Sequence, residues 1–128
     1  FIVDCDVIQA DGGTRTTSVT GAFVAMSLAI KKLLKQGVLK ENPIKDYLAA
    51  ISCGIIKTEI FMDLDYEEDS SADVDANFIF TKKLGISEVQ ISGEGSTFSL
   101  ELMNEMIKLS TKAVDNIFDL QKRMIGKI

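Results

Sequence analysis

The sequence has no histidine, no tryptophan, one proline and two cysteines. Without histidine, and with Cys5 and Cys53 outside any ligand spacing, a cysteine–histidine metal centre is excluded. Without tryptophan, a carbohydrate-cleaving carboxylate pair lacks its usual stacking platform. No run of eighteen apolar residues occurs, so no membrane span is expected. No basic, apolar and small-residue succession opens the chain, so no signal peptide is expected. The chain starts at Phe1 inside a strand-like pattern, which reads as a segment of a longer protein. Arginine is scarce, with only Arg15 and Arg123.

What is present suits one compact domain over residues 1–128: 46% hydrophobic residues and seven phenylalanines provide a core. Both cysteines sit in apolar strand-like runs and read as buried free thiols, which fits a reducing cytoplasm. Net charge is −5, which argues against direct nucleic-acid attraction. The acids are concentrated, however. Seven lie between Asp63 and Asp75, and elsewhere 14 basic residues face 12 acidic ones.

Alternation predicts a strand over 1–9, followed by an Asp-Gly-Gly turn. Val19, Ala22, Phe23, Met26, Ile30, Leu33 and Leu34 recur at helical spacing, predicting a helix over 14–35. Thr14 is the expected cap, and Gly37 the expected stop. Strands are predicted over 47–56 and 59–65, joined as a hairpin at Lys57-Thr58. Two more follow at 74–81 and 88–93. The last helix, 99–125, starts on Ser99 as N-cap, with Phe98 and Met103 as a hydrophobic staple. The predicted order is β-α-β-β-β-β-α, an α+β layer of helices on a mostly antiparallel sheet.

Two constellations can carry chemistry. Gly12, Gly13, Thr14, Arg15 and Thr16 lie where a strand passes through a glycine turn into a helix. Open backbone N–H groups, the helix dipole and an arginine fork all suit an anion there. The GK[ST] ending of a Walker loop is absent, and pattern alone leaves an ordinary turn open. The second is DLDYEEDSSADVDAN, 63–77. On the predicted strand, Asp73, Asp75 and Asn77 share one face, and Asp69 lies in the loop before it. Oxygen-only ligands suit Mg²⁺ or Mn²⁺. An EF-hand fails, since Glu68 stands at the glycine position and Val74 at the closing glutamate. A solvated acidic loop stays the other reading. Together, a phosphate cradle and a carboxylate cluster are the parts of phosphoryl transfer. Lys82-Lys83 reads as a solvated turn.

DCDVIQADGGTRTTSVTGAFVA (4–25), NPIKDYLAAISCGI (42–55), MDLDYEEDSSADVDAN (62–77) and SGEGSTFS (92–99) together resemble the ribonuclease PH family, whose relatives include polynucleotide phosphorylase and the exosome ring subunits. The likeness covers the whole chain and corresponds to the family's C-terminal half, with the N-terminal half absent. It implies the ribosomal protein S5 domain 2-like fold and a phosphate-dependent 3′-to-5′ exoribonuclease. Such an enzyme trims tRNA precursors at the 3′ end and releases nucleoside diphosphates. The family's GTR run falls on Gly13, Thr14 and Arg15, which would hold inorganic phosphate. Its paired aspartates fall on Asp69 and Asp75, which would hold Mg²⁺ (or Mn²⁺), one of them alternatively protonating the leaving oxygen. Arg15, Asp69 and Asp75 are thus the expected catalytic residues. The resemblance also implies a homo-oligomeric ring of six, in the cytoplasm and with no membrane partner. The missing half would supply a further phosphate-binding arginine and RNA contacts, so this segment alone is expected to degrade RNA poorly. A catalytically silent, RNA-guiding ring subunit is the alternative. The enzyme requires the acidic bend to fold against the glycine turn.

Overall fold

The computed structural model describes residues 1–83 and 85–128. Its elements run α1 (Thr14–Lys35), β1 (Leu48–Ile56), β2 (Glu59–Met62), α2 (Tyr66–Ser71), β3 (Val74–Thr81), β4 (Gly85–Gly93) and α3 (Leu100–Ile125). The strands form one antiparallel sheet in the order β2-β1-β3-β4. β1 is central and buried along both faces, as its unbroken apolar run requires. β1 and β2 join at Lys57 and Thr58, both with positive φ (50° and 82°), the backbone that a two-residue hairpin turn demands.

Alternation then sorts the side chains. Ile51, Cys53, Ile55, Val74, Ala76, Phe78 and Phe80 form a core with Met106, Val114 and Phe118 of α3. Phe78 is completely buried. α3 starts on Ser99, whose hydroxyl accepts from the Leu102 N–H at 3.2 Å. α1 lies against the open edge of β1 beyond the end of β2. There Thr20 Oγ1 accepts from Ala50 N–H at 3.1 Å and donates to Ala50 O at 3.5 Å. By length and composition α1 also suffices to cross a membrane, with a mean hydropathy of 1.3, although no eighteen-residue apolar run exists. In the fold it buries Thr16, Phe23, Ser27 and Ile30 against the sheet and α3.

Five expectations need correction. Residues 1–9 form no strand. Val3 to Gln9 line a groove of about 700 Å³ beside α1 with Thr17, Ser18 and Gly21, and Phe1 and Ile2 are exposed. Alternation can specify two faces, but a strand also needs a ladder partner for its N–H and C=O groups. Among the described residues this segment has none. Cys5 is consequently exposed, and only Cys53 is a buried thiol. Thr14 is the first helical residue rather than the cap; Gly13 occupies that position. The acidic stretch is not all loop, because 66–71 form α2. Strand limits moved as well: β2 ends at Met62 and β4 begins at Gly85.

Candidate active site

The glycine turn is shaped by what touches it. A Cβ on Gly12 would lie 2.0 Å from the Leu64 carbonyl oxygen, so only glycine lets the turn approach this closely. Gly13 takes the left-handed conformation, φ 66°, and its carbonyl accepts from Thr16 Oγ1 at 2.9 Å. No side chain caps α1, and no acid stands in its first turn. The amides at its start, at the positive end of the helix dipole, therefore have no side-chain cap.

The acidic segment is tied to this turn. Asp11 Oδ1 accepts from the N–H groups of both Gly12 and Tyr66, each at 2.9 Å. Ser52 of β1 accepts from Leu64 N–H on its hydroxyl at 3.2 Å. α2 then begins with a reciprocal capping box. Asp65 accepts from Glu68 N–H at 2.9 Å, and Glu68 accepts from Asp65 N–H at 3.0 Å. This cap places Asp69 on a defined turn instead of a free loop. Asp73 is held by the hairpin, its carboxylate accepting from Lys57 N–H at 3.2 Å.

Asp75 lies on β3 opposite Gly54 of β1 and Ser92 of β4. Leu64 and Ala72 close over Gly54, so the α2 segment covers the sheet face that Asp75 shares. Partial burial raises the Asp75 carboxyl above its ordinary value of 3.8, and the neighbouring charges of Asp69 and Glu94 raise it further. Asp69 is therefore near enough to Asp75 for its charge to act on that carboxyl.

Arg15 is the second residue of α1. Its Nη2 lies 2.6 Å from Glu88 Oε1 on β4, and Glu88 is its only ion-pair partner among the described residues. Glu88 stands opposite Ile79 and Ser92 opposite Asp75, so both belong to one sheet face. They are four residues apart along the strand, about 13 Å at roughly 3.3 Å per residue. Gly13, Thr14, Arg15, Asp69 and Asp75 thus gather on one side of the sheet, with the Arg15 head turned toward its β4 end. Sequence reasoning missed Asp11, Ser52, Glu88 and Glu94. Asp11 had a signal in its Asp-Gly-Gly turn, whereas the other three depend on strand register.

The carboxylates fit a divalent cation of the Mg²⁺ type only as a small donor set. Among the described residues no group of three potential ligands is assembled. Two mutually repelling carboxylates, Asp69 and Asp75, suit a hard cation that takes its other ligands from water and phosphate.

A family model described as "3' exoribonuclease family, domain 2" matches residues 46–113. Ribonuclease PH of Bacillus subtilis (strain 168) is 55% identical over 125 residues, covering 97% of this chain and 51% of that protein. Ribonuclease PH of Cereibacter sphaeroides (strain ATCC 17025) is 46% identical over 126 residues, covering 98% and 53%. The chain spans about half the length of these curated relatives. Among solved structures, rice (Oryza sativa) Rrp46 superposes with a TM-score of 0.73 at 22% identity, covering 94% of this chain and 52% of that one. An Archaeoglobus fulgidus exosome with RNA bound to the active site gives 0.65 at 20% identity, covering 88% and 44%. At such identities the structural likeness shows the fold alone, an α+β fold shared with these chains.

Proposed function

This chain belongs to the 3′ exoribonuclease family, and from that membership we propose that it carries the phosphate and carboxylate site of a phosphorolytic 3′-to-5′ exoribonuclease acting on tRNA precursors. The observation that supports this reading is the joint between the two constellations. Asp11 bonds at once to the glycine turn and to the start of α2, so an anion cradle and a carboxylate pair share one sheet face.

Roles follow from that arrangement. The amides after Gly13, the Thr14 hydroxyl and the Arg15 guanidinium hold and orient inorganic phosphate, and offset its repulsion from RNA. An oxygen of this phosphate attacks the phosphorus of the terminal 3′ linkage. The bond to the preceding ribose O3′ breaks, and a nucleoside diphosphate leaves. The departing O3′ takes up a proton. Asp75, whose carboxyl is held above the ordinary range, is the group suited to give it. As the alternative to that acid role, Asp75 in its ionised form, together with Asp69, would hold Mg²⁺ or Mn²⁺. When bound, the cation supplies neutralisation of charge on the transferring group. The intact protein is assigned to the cytoplasm as a homo-oligomeric ring, without membrane attachment.

The test joins this chain to the remaining part of the Bacillus subtilis relative and supplies a tRNA bearing extra 3′ nucleotides. Nucleoside diphosphates should appear only with added phosphate. Arg15→Ala should cut the rate by about 10²–10³, the usual loss for one charge-stabilising donor. Unchanged trimming by that variant, or release of monophosphates without phosphate, would overturn the assignment. A joined protein that folds, binds phosphate and RNA, yet releases nothing would mark a silent RNA-guiding subunit.

A further inference from the structure

Glu88 reaches Arg15 across β3, and nothing in the proposed reaction uses it. The contact is made end-on through one nitrogen and one oxygen, at 2.6 Å, with both side chains nearly half exposed. Exposed pairs of this kind are weak and exchange readily. Glu88 also sits at the Ile79 row of the sheet, four residues from the Asp75 row, so the pair draws the guanidinium away from the carboxylates it is meant to serve. Arg15 itself stands at the positive end of an uncapped helix with no acid in its first turn. An unpaired cation there is electrostatically unfavourable, and Glu88 relieves it.

We propose that Glu88 sets the phosphate affinity of the site: its carboxylate occupies Arg15 until phosphate displaces it. This rests on the reading that phosphate binds at Arg15. Phosphate succeeds where weaker anions fail because it offers the guanidinium a bidentate partner and also fills the open amides of α1. Removing the Glu88 charge therefore frees the arginine for phosphate, which favours binding.

Calorimetric titration of the chain with inorganic phosphate tests this. Glu88→Gln keeps shape and removes charge, and it should tighten phosphate binding about two- to fivefold. Glu88→Ala should act in the same direction. The gain should vanish when Arg15→Ala is already present, since there is then no guanidinium to release. Looser or unchanged binding in both Glu88 variants, while Arg15→Ala abolishes binding, overturns the proposal and leaves the phosphate site standing. A gain that persists in the Arg15→Ala background also overturns it, as a general field effect. Unaltered binding by Arg15→Ala alone refutes the underlying phosphate site, and the role of Glu88 with it.

Discussion

At the candidate site, Asp75 is a residue whose chemistry is altered by its surroundings. Burial raises its pKa first, and Asp69 and Glu94 add to the shift. The folded state therefore holds this proton more tightly than the unfolded chain does. As pH rises from the ordinary value of 3.8 through the raised one, the native protein loses stability, because the carboxylate must ionise beside two others. Below that window both states are protonated and the effect is absent. Asp75→Asn should accordingly melt at a higher temperature than wild type at pH 7, and at nearly the same temperature well below pH 3.8, measured in chelator. Equal melting temperatures at pH 7 would contradict the repulsion. The six-residue spacing of Asp69 and Asp75 was legible from the chain itself. The pairing of Arg15 with Glu88 was not, because 73 residues separate them and only strand register joins them.

Among the elements, α2 shows why local pattern was insufficient. Six residues are too few for a helical period to emerge, and half of them are acidic, Glu67, Glu68 and Asp69. Its capping box, Asp65 with Glu68, was nevertheless written in the sequence as a spacing of three. Because no residue of α2 is buried, the cap carries much of its stability. Asp65→Ala should cost about 1 kcal/mol, the usual worth of an N-cap, enough to unwind so short a helix. Hydrogen exchange at Asp69 N–H, which bonds to Asp65 O, should then lose its protection. Retained protection would show that docking against Asp11 holds the segment without the cap. The long helices α1 and α3 were readable because each repeats its apolar spacing over many turns. Residues 1–9 show the reverse failure, since alternation without a ladder partner builds no strand.

For the whole molecule, the two cysteines report on how the core closes. Cys53 faces α3 between the sheet and Ser110, and burial pushes its thiol up to about 11. Cys5 lies exposed beside α1. A thiol reagent at neutral pH should label Cys5 in the native protein, and Cys53 only when denaturant opens the core. Rapid native labelling of both would mean that α3 does not seal this face. The sequence by itself determined the long helices, the hairpin at Lys57-Thr58, the two faces of β3, and the residue types for an anion and a cation, because each follows from neighbours a few positions apart. Only the tertiary structure decided that Asp11 ties the glycine turn to α2, that Asp75 is crowded by Asp69 and Glu94, and that Glu88 holds Arg15. Those contacts depend on strand order and register, and register is settled by how the buried faces pack, not by any spacing along the chain.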